Sequence, residues 1–317
     1  MITKLHNTTT SEVARELVRL REEGGAVALG RVLTLVLVSG ENLNEEAIRA
    51  ANTASGEHPM RVIVLHAYPE SGEARIDAEI RIGSDAGASE VVILHARGQA
   101  ANDPETLVQA LLLPDAPVVA WWPGNECSSP FASPIGRIAQ LRIVDTHEDP
   151  DGLQSVKRLI AGYHDGDTNL AWTRLTRWRA QLAAVLDQPP YEAVLKAEVV
   201  SSRVSTGALL MAAWLRHYLD VPVELSLHSD ARPGNLRTVR LVRESGIVEL
   251  ERIAFENARL RQTGQPDQIV PLMLRDRYEV LAEELRSLAH DPVYATALLE
   301  GVPALDLDSL AELHAAG

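Results

Sequence analysis

Two of the five tryptophans and three arginines of this 317-residue chain fall between Trp172 and Arg179, in the run Asn169-Leu170-Ala171-Trp172-Thr173-Arg174-Leu175-Thr176-Arg177-Trp178-Arg179. Residues of these types grip partners. A guanidinium offers a planar fork to a carboxylate or phosphate, and an indole removes much area from water. Asn169 is a good N-cap, and a helix is expected from Asn169 to Leu186, closed by Pro189-Pro190. On a helical wheel Ala171, Leu175, Trp178, Leu182, Val185 and Leu186 form one apolar face, which places Trp178 in the core. Arg174 and Arg177 then lie on one flank, and Trp172 and Arg179 together on the other. Arginines so placed either lay their stems over apolar surface and pair with carboxylates, or hold a ligand or partner, and both readings stay open.

A second aromatic feature is Trp121-Trp122-Pro123, at the end of an apolar run from Pro117. Neighbours on a strand face opposite sides of a sheet, so both indoles can fill helix-covered cores. Alternatively one of them reaches the crevice at the strand's carboxyl end, where α/β sheets take ligands. The ten histidines show no metal-protease spacing, but Val62-Ile63-Val64-Leu65-His66-Ala67 and Val91-Val92-Ile93-Leu94-His95-Ala96 are near copies. If these runs are parallel neighbours, both imidazoles stand at one sheet edge. A metal would still need a third ligand.

Other catalytic signatures fail on inspection. Gly25-Ala26-Val27-Ala28-Leu29-Gly30-Arg31 has the glycine spacing of a phosphate loop, yet Arg31-Val32 replaces Lys-Ser/Thr and the segment follows a helix instead of a strand. No Gly-x-Ser-x-Gly elbow occurs, and the one cysteine, Cys127, has no nearby histidine in sequence and cannot form an internal disulfide. A chain with 44 acidic and 30 basic residues, net −14, repels nucleic acid and anionic lipid. No secretory h-region or membrane span is visible, and a cytoplasmic location is expected.

These residues must be positioned by elements that the pattern supplies. Thr9-Thr10-Ser11-Glu12 is a capping box opening a first helix. Apolar strands at 31–38, 61–66, 90–95 and 117–122 alternate with helices near 44–54 and 104–112, while strict alternation at 75–82 marks a strand with one wet face. Later, strands at 195–200 and 221–227 flank a helix from Thr206 to Leu219, a hairpin turns at Glu244-Ser245-Gly246, and a strand near Ile269 precedes a helix from Arg275 to Leu288. The expected fold is a mixed-sheet α/β layered domain over 1–165, followed by a smaller α+β domain with antiparallel hairpins over 166–317.

The chain resembles the glucose-6-phosphate dehydrogenase assembly protein family, OpcA. The resemblance lies in Asn7 to Val13, Gly24 to Thr34, Leu111-Leu112-Leu113-Pro114-Asp115-Ala116-Pro117-Val118-Val119-Ala120-Trp121-Trp122-Pro123-Gly124, Ser133 to Gln140, the start of the Asn169 helix and Asp187 to Tyr191. It implies a non-enzymatic partner of glucose-6-phosphate dehydrogenase that assembles or allosterically activates it, without a cofactor of its own. The resemblance supplies no catalytic residues. The expected contact residues are Trp121, Trp122, Pro123, Trp172, Arg174, Arg177 and Arg179. The alternative is a sugar-phosphate-binding enzyme or sensor, with Arg174 and Arg177 on the phosphate.

Overall fold

The structure, a computed structural model, describes residues 1–23, 30–39, 44–70, 72–82, 90–124, 127, 129–189, 191–228 and 234–316. Most of the Gly25 to Arg31 pattern therefore lies outside the described residues. In chain order the first elements are β1 (Ile2–Leu5), α1 (Thr10–Glu23), β2 (Leu33–Ser39), α2 (Glu45–Ala54), β3 (Met60–Tyr68), β4 (Arg75–Arg81), β5 (Glu90–Arg97), α3 (Pro104–Gln109), β6 (Val118–Trp122), α4 (Pro134–Ile138), β7 (Leu141–Val144), α5 (Gly152–Gly162) and β8 (Asp167–Asn169). They are followed by α6 (Leu170–Thr173), α7 (Thr176–Leu186), β9 (Lys196–Ser201), α8 (Thr206–Leu219), β10 (Val223–Leu227), β11 (Leu236–Arg243), β12 (Gly246–Arg252), β13 (Asn257–Gln262), β14 (Gln268–Pro271), α9 (Arg277–Glu284), α10 (Pro292–Thr296) and α11 (Leu307–Ala316). The chain groups into two compact units built from interleaved segments. One comprises 1–145, 162–168 and 276–290, the other 146–161, 169–275 and 291–317.

The first unit holds an eight-stranded mixed sheet in the order β1-β4-β5-β3-β2-β6-β7-β8. Pairs β3·β5, β2·β3, β2·β6 and β6·β7 are parallel, and β4 and β1 add an antiparallel edge. From β5 to β8, numbered by chain order with β4 left aside, the strands run 3-2-1-4-5-6, the order of doubly wound dinucleotide-binding sheets. Leu35, Val36, Leu37, Val62, Ile63, Val64, Val91, Val92 and Leu94 are all 0% exposed, as expected of central parallel strands covered on both faces. Each such side chain contributes roughly 1.5–3 kcal/mol by leaving water. The alternation at 75–82 becomes β4, whose Ala78 and Ile80 are buried while its charged residues stay partly exposed.

At the amino end of β5, Glu90 is 1% exposed and accepts from three arginines. Arg61 donates through Nε at 3.2 Å and Nη2 at 3.0 Å, Arg21 through Nη2 at 2.8 Å, and Arg31 through Nη2 at 2.5 Å. Arg31, at the position of a phosphate-loop lysine, thus serves an internal carboxylate. At the other sheet end, Arg142 donates to Asp167, whose carboxyl burial pushes upward. The intervening turn requires Gly166 at φ 89°, where a Cβ would sit 2.7 Å from the Gln140 carbonyl oxygen.

The second unit has a six-stranded sheet, β10-β9-β11-β12-β13-β14, with only β9·β10 parallel among its pairs. One face is apolar and buried: Ala197, Val199, Val239, Leu241, Val248 and Leu250 are at most 2% exposed, and α8 packs on β9 and β10. The other face carries a charge ladder in register. Arg240 donates to Glu198 at 2.6 Å and to Glu249 at 2.5 Å, and Arg261 to Glu249 at 2.5 Å. One dry face and one wet face account for the period-two pattern of this half. The mixed α/β fold is the one that the sequence leads to. Strands β1, β7 and β13 and the elements after residue 291 carry too short or too polar a pattern to be read beforehand.

Candidate functional site

The Trp172 to Arg179 segment is two helices. Asn169 Oδ1 accepts from the Ala171 amide at 2.8 Å and so caps α6, as its side-chain chemistry predicts. The expected single helix to Leu186 breaks at Arg174-Leu175. There the Leu175 amide bonds to the Trp172 carbonyl at 2.9 Å in a tightened turn, and the Thr173 carbonyl accepts from the Thr176 hydroxyl at 2.8 Å and from the Arg275 guanidinium. The apolar face survives the break, with Ala171 1%, Leu175 4%, Trp178 3%, Leu182 0% and Val185 3% exposed.

Trp172 is not on an exposed flank; it is 2% exposed, and its Nε1 donates to Asp291 Oδ2 at 2.8 Å. Tyr294 packs against it at 5.8 Å between ring centroids, so the segment opening with α10, unread in the sequence, supplies its cover. The expected neighbour is present: the Arg179 guanidinium carbon lies 3.6 Å from the centre of the Trp172 ring. Arg174 and Arg179 are half-buried and Arg177 is exposed. Trp121 and Trp122 are 0% and 4% exposed and Pro123 is buried, which is the two-core arrangement their adjacency on β6 allows. These three residues belong to the first unit, and the residues from Trp172 to Arg179 to the second.

Arg174 and Trp178 open onto a cleft within the second unit, with a cavity volume of about 70 Å³. Among the described residues its other charged or polar lining residues are Arg252, Arg275, His147, Ser205 and Asn235. Segments distant in sequence meet here: the α6–α7 break, the amino end of α8, the start of β11, the end of β12, the chain after β14 and His147. Arg252 is 3% exposed and donates Nη1 to the carbonyls of Leu272 and Phe255, at 2.5 and 3.3 Å, with its guanidinium 5.5 Å from the Trp178 ring centre. Burial, and after it the charge of Arg237, pushes Arg252 down to about 10. Gly234, at φ 81°, edges the cleft, and a Cβ there would lie 2.9 Å from Leu274. The sequence offers Arg174 as a contact residue and Trp178 as core, and gives no signal that either lines a cleft; Arg252 and Arg275 carry no local signal of convergence.

In the first unit the two near-copy strands are parallel neighbours, β3 and β5, with His66 opposite His95 and the rings 5.5 Å apart. Ser39, His66, His95 and Asp77 form one row in register across β2, β3, β5 and β4. Tyr68 Oη and His66 Nδ1 are hydrogen-bonded at 2.9 Å, and His66 Nε2 is buried without a hydrogen-bond partner. Burial, then the neighbouring His66, pushes His95 below the ordinary imidazole value. Among the described residues no set of three His, Cys, Asp or Glu side chains is arranged to hold a metal. Burial also pushes the Cys127 thiol up, away from the reactive thiolate. No described helix is long and apolar enough to cross a membrane.

The class that the strand order defines is a doubly wound α/β protein joined to an open-faced α+β unit. Solved structures share the fold alone. A dehydrogenase from Chromobacterium violaceum aligns with a TM-score of 0.52 at 13% identity, covering 90% of this chain and 95% of that one. An oxidoreductase from Sinorhizobium meliloti aligns with a TM-score of 0.50 at 12% identity, covering 90% and 97%. No curated protein sequence matches the chain. The sequence profiles of the glucose-6-phosphate dehydrogenase subunit match in both parts, the N-terminal domain over residues 51–161 and the C-terminal domain over 165–298. The chain belongs to the glucose-6-phosphate dehydrogenase subunit family, OpcA.

Proposed function

We propose that the chain is a non-catalytic subunit of glucose-6-phosphate dehydrogenase. It assembles with the enzyme in the cytoplasm, raises its activity, and so supports the oxidative pentose phosphate pathway and NADPH supply. The observation that carries this reading is the match of both subunit-family domains, end to end along 51–298. The strand order adds support. In a 3-2-1-4-5-6 sheet the turn after the first of these strands is where a dinucleotide-binding protein needs Gly-x-Gly-x-x-Gly, so that backbone amides can approach the pyrophosphate. Here the sequence after β2 reads Gly40-Glu41-Asn42-Leu43-Asn44-Glu45-Glu46, with a single glycine and three acids that repel one.

For the docking surface, Arg177 is the contact that the burial pattern favours, because it is exposed on α7 while Trp172 is buried and Arg174 and Arg179 are half-buried. Arg174 faces the cleft. Trp121, Trp122 and Pro123 reach a partner only through the shape that they give the end of β6. Co-purification of the chain with the dehydrogenase, followed by affinity measurement for Arg177→Ala, tests the reading. A complex weakened by about 2 kcal/mol with the variant's stability unchanged is the expected outcome. Failure of the wild-type chain to co-purify would overturn the subunit assignment, and an unchanged affinity for Arg177→Ala would move the docking surface elsewhere.

A further inference from the structure

The sheet of the second unit has two edges, β10 and β14, and they are not alike. An edge strand presents a row of unpaired amides and carbonyls, and proteins guard such rows with proline, lysine or very short strands. β14, Gln268-Ile269-Val270-Pro271, is four residues long and ends in proline. In the first unit β1 carries Lys4, and β8 is only three residues long. β10, Val223-Glu224-Leu225-Ser226-Leu227, has neither proline nor lysine and pairs with β9 without a bulge. In a parallel ladder alternate residues of a strand bond to its neighbour, and those between them face away. The Ala197 amide donates to the Pro222 carbonyl at 3.0 Å and the His228 amide to the Ser201 carbonyl at 2.8 Å, so the even-numbered residues along β10 serve β9. Val223, Leu225 and Leu227 therefore turn amide and carbonyl toward the open edge.

The side chains of the same three residues lie on the apolar face of the sheet, yet all are half-buried, whereas Ala197 and Val199, opposite Val223 and Leu225 on β9, are 0% exposed. What stands beyond the edge is a groove. α11 packs on β10 without closing on it and leaves a cavity of about 410 Å³. Ala212, Val223, Leu225, Leu305 and Leu310 supply its apolar lining. Its charged lining, among the described residues, is two carboxylates, Glu224 and Asp306, with no basic side chain. Lys196 pairs with Glu224 at 2.6 Å, while Asp306 accepts from the amide and hydroxyl of Ser309, both neutral, at 3.1 and 2.7 Å.

We propose that β10 takes an added strand, an extended segment of glucose-6-phosphate dehydrogenase that lays alternate aliphatic side chains into the groove and sets a lysine or arginine beside Asp306. The inference rests on the subunit reading, which supplies the partner. Main-chain bonds to Val223, Leu225 and Leu227 give such a segment its affinity, and the groove selects its side chains. An unguarded edge beside an apolar groove offers both at once. A second copy of this chain is disfavoured there, because each copy brings a net charge of −14 and its own Glu224 and Asp306.

Amide hydrogen exchange of the full chain, alone and mixed with the dehydrogenase from the same organism, tests it beside light scattering of the same samples. In the complex the amides of Val223, Leu225 and Leu227 should exchange tenfold or more slowly than in the free chain. Leu225→Pro removes an outward N–H and no bond to β9, and Ser309→Trp, at an exposed position of α11, fills the groove. Each should weaken the complex tenfold or more, and Ser309→Trp is the variant that keeps its fold if Leu225→Pro does not. A complex in which these amides exchange as in the free chain, or whose affinity Ser309→Trp leaves unchanged, would overturn the inference and leave the subunit assignment standing. Absence of any complex would overturn both. Protection that appears in the chain alone and grows with its concentration would put a second copy at the edge, and would likewise overturn it.

Discussion

Arg21, Arg31 and Arg61 converge in the first unit, and Arg174, Arg252 and Arg275 in the second, but the two clusters serve different ends. The first closes on Glu90, 1% exposed, and ties α1, β3 and β5 to one buried carboxylate. The second lines a cleft, where Arg252 donates to the carbonyls of Leu272 and Phe255 and Arg275 to that of Thr173. What an arginine cluster does is decided by what stands at its centre. A carboxylate there makes a lock within the fold, and where backbone carbonyls take the guanidiniums the arginines tie distant segments of one unit together.

Substitutions should separate the two. Glu90→Gln leaves three guanidiniums around a neutral amide, and breaking a buried ion cluster from one side costs roughly 3–5 kcal/mol. Urea unfolding should show that loss, whereas half-buried Arg174→Gln should stay within about 1 kcal/mol of wild type. Equal costs for the two substitutions would erase the distinction.

The same contrast holds within the α6–α7 segment. Trp172→Ala removes a fully packed indole together with its Nε1 bond to Asp291, at about 3–5 kcal/mol. Arg179→Gln removes the cation above the ring, and that contact is worth about 0.5–2 kcal/mol. A Trp172→Ala protein as stable as wild type would mean that the segment's role is contact and not packing.

The helical wheel made Trp178 legible as core and put Arg179 beside Trp172, because both follow from local geometry. It could not reveal that Asp291 and Tyr294, more than a hundred residues on, cover Trp172, nor that the Thr173 carbonyl is taken by Arg275 and the helix broken there. The pairing of His66 with His95 was foreshadowed by two copied strands, since like sequences fold to like strands and chain order favours adjacency. Arg252 and Arg275 had no such signal. Their convergence on the cleft is a product of tertiary structure alone.

The first unit also contains a smaller effect, linked to pH through an imidazole. His95 is neutral in both the folded and the unfolded chain well above its ordinary value of 6.5, and contributes nothing there. Its folded value is depressed by burial, so as pH falls through the unfolded value the unfolded chain takes the proton first and stability declines, until the folded value is passed. Urea midpoints at pH 7.5 and 5.5 should therefore fall less for His95→Gln than for wild type. Smallest of all should be the effect of redox state, since the single Cys127 is raised by burial and cannot close a ring within the chain. Dithiothreitol should leave any activation of the dehydrogenase unchanged, and a change would point to a disulfide between chains.

The most direct measurement mixes the purified chain with glucose-6-phosphate dehydrogenase from the same organism, and follows complex formation by size-exclusion light scattering and NADP reduction by absorbance. The subunit assignment predicts a stoichiometric complex, a higher rate of NADP reduction than the dehydrogenase shows by itself, and no reduction by the chain alone. Separate elution with an unaltered rate, or NADP reduction by the isolated chain, would contradict it.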